Sequence, residues 1–78
     1  MKLPRDVSGD DLARALEHFG YEVVRTTGSH MRLRTYRNGE HYVTIPRHPT
    51  LYVGTLASIL RDVCDHLKIN KEEIIRYL

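Results

Sequence analysis

Three consecutive residues, Gly28-Ser29-His30, and the arginines at alternate positions after them, Arg32 and Arg34, carry the side chains best suited to chemistry in this chain. An imidazole with an ordinary pKa near 6.5 exchanges protons at neutral pH. Such transfer contributes about 10²–10⁴-fold to a rate. Guanidinium groups match the planar geometry of a phosphate and stabilise charge developing on phosphoryl oxygens. A glycine lets backbone come close to an anion, and the Ser29 hydroxyl can donate to one of its oxygens. These parts fit acid–base cleavage of a phosphodiester. RNA brings its own nucleophile, the 2′-hydroxyl, so the protein need supply only proton transfer and charge stabilisation.

Other chemistries fit less well. Ser29 and His30 are neighbours, and on a strand their side chains would point to opposite faces, which argues against a nucleophilic pair. No second element offers a clear acid to orient the imidazole. His41 and His48 lie seven apart across Pro46, with no H-x-x-x-H or C-x-x-C spacing, so a bound metal is not expected.

The elements that must hold these residues can be read from periodicity. Ser8 with Asp11 three residues on has the form of a capping box, followed by Leu12, Ala13, Leu16 and Phe19 at helical spacing and Gly20 as the stop. This predicts a helix over about residues 9–19. Tyr21 to Arg25 is a short strand, closed by the turn Thr26-Thr27-Gly28. From His30 to Tyr36 the pattern alternates. Met31, Leu33 and Thr35 take one face, and His30, Arg32, Arg34 and Tyr36 the other. His41 to Ile45 alternates too, with Val43 and Ile45 opposed to Tyr42 and Thr44.

The connection between these two strands decides what the sheet presents. A two-residue Asn38-Gly39 turn would mix polar and apolar faces. A three-residue Arg37-Asn38-Gly39 loop, with Gly39 left-handed, sets Leu33 opposite Val43 and Met31 opposite Ile45. A one-residue slip turns every side chain over, so burial selects the second register. One face is then apolar and needs helices over it. The other collects His30, Arg32, Arg34, Tyr36, Tyr42 and Thr44 and can stand in water. After Pro46 and Pro49, a helix follows Gly54 with Leu56, Ile59, Leu60, Val63 and Leu67 as its apolar stripe, while Arg61, Asp62 and Asp65 face water. Asn70 caps a short last helix, with Glu73 completing its box. The expected fold is α+β: α-β-β-β-α with an extra short C-terminal helix and a three-stranded antiparallel sheet covered by helices on one face.

Bulk composition sets the frame. Seventy-eight residues fit one small domain, taken as 1–78, and 41% hydrophobic with 28% charged residues is ordinary for a globular chain. No apolar run approaches the roughly 18 residues of a membrane span, and Met1-Lys2-Leu3-Pro4-Arg5-Asp6 has no signal-peptide pattern. One cysteine, Cys64, suits a reducing compartment and a small buried apolar position. The expected location is cytoplasmic. Net charge is only +2, but residues 25–48 hold five arginines (Arg25, Arg32, Arg34, Arg37, Arg47) against the single acid Glu40. That basic island coincides with the candidate face, and its cations suit phosphate.

Gly28-Ser29-His30, the strand pair, Thr44-Ile45-Pro46-Arg47-His48, Gly54-Thr55-Leu56 and Ile59-Leu60-Arg61 occur in an order that resembles the HicA (YcfA-like) toxin family. The resemblance covers roughly residues 5 to 64. It implies a fold like a double-stranded-RNA-binding domain, and an mRNA-cleaving toxin of a type II toxin–antitoxin pair restrained by a HicB partner protein. It also implies that His30 is catalytic. His48 matches the family's Pro-x-His position and receives no role here. The stretch Pro49-Thr50-Leu51-Tyr52-Val53 is more apolar than the family's, and the tail from Asp65 to Leu78 is longer than a minimal member needs.

The expectation is therefore an endoribonuclease (an mRNA interferase) without metal or cofactor. His30 is its acid or base, Arg32 and Arg34 hold the RNA backbone, Gly28 and Ser29 shape the phosphate site, and Tyr36 and Tyr42 stack on unpaired bases. The alternatives are an RNA-binding module without catalysis, or a protein-interaction module using the same basic face.

Overall fold

A computed structural model describes residues 3–78 of the chain. Its elements run α1 (Gly9–Glu17), β1 (Glu22–Thr26), β2 (His30–Thr35), β3 (His41–Pro46), α2 (Val53–Leu67) and α3 (Lys71–Ile75). The three strands form one antiparallel sheet in the order β1-β2-β3. This is the α-β-β-β-α order with an added helix that the sequence predicts.

Local chemistry explains the boundaries. The Ser8 Oγ accepts from the Asp11 N–H at 2.9 Å, and Asp11 Oδ2 accepts from the Ser8 N–H at 3.2 Å, so α1 starts in a full capping box. Those hydrogen bonds, first the one from the Ser8 backbone, hold the Asp11 carboxyl below its ordinary range. α1 ends two residues before the expected boundary. Gly20, left-handed at φ +94°, closes a Schellman turn in which the Tyr21 N–H reaches the Leu16 carbonyl at 3.2 Å. That wrap buries Tyr21, so β1 begins one residue later than expected. At α3, the Asn70 N–H donates to Glu73 Oε2 at 3.0 Å.

The hairpin register is the one burial selects: Leu33 pairs with Val43 and Met31 with Ile45. In the connecting loop Gly39 has φ +101°, as expected, and Asn38 is also left-handed at φ +58°. Leu33 and Ile45 are fully buried beneath Leu12 and Leu16 of α1 and Leu56, Leu60 and Val63 of α2, in one continuous core. Truncating such a side chain to alanine costs about 2–5 kcal/mol. Both main helices lie on this face and leave the other open.

β1 behaves differently from its neighbours. All five of its residues are exposed, and a bulge interrupts its pairing between Val23 and Arg25. Cys64 is half-buried rather than enclosed, and burial pushes its thiol pKa up. It lines a cavity of about 310 Å3 between α2 and α3, with Leu60, Ile69 and Leu3, on the helical side of the molecule away from His30. Among the described residues, no helix is long and apolar enough to cross a membrane.

Candidate active site

The turn before β2 is built to fix His30. The Thr27 N–H donates to the His30 carbonyl at 2.8 Å, and the His30 N–H donates to Thr27 Oγ1 at 3.1 Å. The Ser29 carbonyl accepts from the Arg47 N–H at 2.8 Å, which ties the turn to the end of β3. Ser29 sits just outside the strand, where alternation does not yet apply. Its hydroxyl therefore reaches the imidazole: Ser29 Oγ lies 2.8 Å from His30 Nδ1. The expectation of opposite-facing side chains is corrected here, and its cause is the bend at Gly28-Ser29. His30 is exposed, and among the described residues its Nε2 has no hydrogen-bond partner.

Gly28 is instructive because the fold does not require it. Its φ lies outside the left-handed range, and a Cβ there would meet nothing within 4 Å.

The open face carries the expected cations, each with a distinct environment. The Arg32 guanidinium lies 4.4 Å from the centre of the Tyr42 ring, and that of Arg34 lies 4.8 Å from Tyr36. Both rings thus already have a cation on one side. Arg34 also donates to Glu22 Oε1 at 2.9 Å, and this bond, helped by Tyr42, raises its pKa further. Arg34 Nε is buried with no partner among the described residues. Arg32 has no acidic partner among them, and the β1 bulge places Arg25 opposite it. Like charges facing each other across strands oppose folding, so this pair contributes little to stability. Arg25 was not among the expected site residues. The sequence signal for it was the adjacent Val23-Val24, which breaks period two where an extra residue enters.

Residues 9–63, well over half of the chain, match the family model described as the HicA toxin of bacterial toxin-antitoxin. The chain belongs to the HicA toxin family. No curated protein and no solved structure gives a significant match. Membership in a toxin–antitoxin family implies an antitoxin partner. Within this HicA member, the matched span includes Gly28, Ser29, His30, Arg32, Arg34, Tyr36, Tyr42 and His48.

His18 stacks on Tyr77 at 4.1 Å, and His41 and His66 are engaged with each other and with the β2–β3 loop. His41 Nδ1 lies 2.6 Å from the Tyr21 hydroxyl and His41 Nε2 lies 3.1 Å from Asp62 Oδ1. Its ring stacks on His66 at 4.3 Å, and His66 Nε2 donates to the Arg37 and Gly39 carbonyls, both at 2.9 Å. This cluster clasps the β2–β3 loop to α2, and no sequence spacing announced it. His48 is exposed on the loop after β3, edge-on to Tyr52. Among the described residues no three His, Cys, Asp or Glu side chains converge as metal ligands.

Proposed function

We propose that this HicA family member is an endoribonuclease that cuts mRNA in the cytoplasm, without metal or cofactor, and is neutralised by a HicB-like antitoxin. His30 acts through Nε2. In the base step, Nε2 takes the 2′-hydroxyl proton, the O2′–P bond forms and the P–O5′ bond breaks. The leaving 5′ oxygen takes a proton from solvent. The products are a 2′,3′-cyclic phosphate and a 5′-hydroxyl.

The observation that carries this reading is the exposed His30, whose Nε2 has no partner among the described residues, next to an open-space glycine and on a face where Arg25 and Arg32 have no counter-charge among those residues. Arg32 is the principal phosphate contact, and Arg34 joins when a phosphate displaces Glu22. Tyr36, 62% exposed, is the better stacking ring for an unpaired base, because Tyr42 is partly covered and donates to Glu40 at 3.2 Å.

The test incubates wild type and His30→Ala with RNA in EDTA and scores binding and cleavage separately. Loss of cleavage with retained binding supports the enzyme. Wild type that binds and never cuts supports a non-catalytic RNA-binding module on the same face. Absence of binding at low salt transfers that face to the protein partner. Phosphate-led binding weakens steeply with salt, and a 2′-deoxy substrate is bound but not cut.

A further inference from the structure

Resting on the nuclease reading, we infer that Ser29 is a positioning residue whose hydroxyl makes the proton-accepting state of His30 depend on a bound phosphoryl oxygen. The contact between Ser29 Oγ and His30 Nδ1, 2.8 Å, has one hydroxyl proton to direct and two ways to direct it. In one arrangement the hydroxyl donates to Nδ1. A neutral ring then carries its proton on Nε2 and presents an N–H outward, which cannot accept. In the other, Nδ1–H donates to the hydroxyl oxygen, and Nε2 presents a lone pair. Which nitrogen carries the proton is set by the bond the other nitrogen makes.

Only the second arrangement leads into the reaction. Once Nε2 has taken a proton, both nitrogens carry hydrogen, and Nδ1 still needs an acceptor. Ser29 Oγ already serves as that acceptor, so nothing must rotate during proton transfer. The second arrangement has one requirement: the Ser29 proton, released from Nδ1, needs a new acceptor. Among the described residues none bonds to it. A phosphoryl oxygen of the bound strand meets the need, since Ser29 is exposed and the neighbouring Gly28 leaves open space where a side chain would stand.

The scaffold supports a fixed contact rather than a passing rotamer. Thr27 holds both backbone polar groups of His30, and Arg47 holds the Ser29 carbonyl. Without an anion the hydroxyl turns inward and the ring rests with Nε2 protonated. With an anion it turns outward and the base appears. The residue thus links substrate arrival to base formation.

The test reads the ring nitrogens of His30 by 15N NMR in the full chain, above the titration range of the imidazole. The probe is a 2′-O-methyl RNA oligonucleotide, which lacks the nucleophile. Amide shifts at Arg32 report binding. The expected result is a move of the proton from Nε2 to Nδ1 on binding, absent in Ser29→Ala and restored in Ser29→Thr. Binding without that move, or the same move in Ser29→Ala, overturns the inference and leaves the nuclease reading standing. Failure of the oligonucleotide to bind at low salt overturns both.

Discussion

His30 and His41 each open a strand of the same hairpin, yet they occupy opposite conditions. His41 has both nitrogens bonded, to Tyr21 and Asp62, and a second imidazole stacked on it. His30 has one nitrogen held by a neighbouring hydroxyl and the other facing solvent. The difference comes from which face each occupies. His41 pairs with Thr35, which is buried under the helices, while His30 pairs with Pro46 at the rim of the uncovered face. Residue type alone does not mark a reactive group. The nuclease proposal rests on the nitrogen of His30 that has no partner among the described residues.

The strongest way to break this comparison is to remove each ring. His30→Ala should lower cleavage by about 10²–10⁴-fold with stability inside the ±0.5 kcal/mol typical of surface changes, measured by product ends on a gel and by thermal unfolding. His41→Ala should do the reverse. Loss of the clasp leaves buried Tyr21 without its acceptor, costs about 1–3 kcal/mol, and leaves cleavage per folded molecule intact. If the two variants behave alike, the contrast between the two rings is wrong.

Alkali sharpens the same contrast. Burial pushes the Tyr21 phenol up to about 12 from an ordinary 10. The folded state therefore keeps its proton after the unfolded chain has lost it. The stability linked to this group is whole below pH 10 and drains away as pH rises through about 12, by up to about 1.4 kcal/mol for each pH unit in that window. Urea midpoints followed from pH 9 to 12 should fall in wild type and much less in Tyr21→Phe. Gly28→Ala should stabilise the fold slightly, by about 0.4–1 kcal/mol from a stiffer unfolded chain. It should nevertheless reduce RNA cleavage, because the new methyl enters the open space beside Ser29. Unchanged turnover would remove that glycine from the site.

Much of the fold could be read from the chain because the deciding signals are local. Met31, Leu33 and Thr35 against Val43 and Ile45 left only one register that buries both sets. The stripe from Leu56 to Leu67 needed no tertiary information, and all five of its residues are buried. Three site features escaped because they depend on distance or on a single bend. Tyr21, His41 and Asp62 lie 20 and 21 residues apart and meet only once the sheet has closed under α2. Ser29 reaches its neighbour because the chain bends before alternation starts. The bulge that sets Arg25 opposite Arg32 adds one residue to an edge strand, and two adjacent valines were the faint trace of it.

Gly9 packs α1 against the end of β3. A methyl group at that position would stand 2.0 Å from the Pro46 carbonyl oxygen, and its N–H already donates to the His48 carbonyl at 3.0 Å. Pro46 is the residue directly across from His30. Any wedge driven between the first helix and the third strand would thus tilt the floor on which the imidazole stands. A substitution at Gly9 would reach His30 through β3 without touching the imidazole.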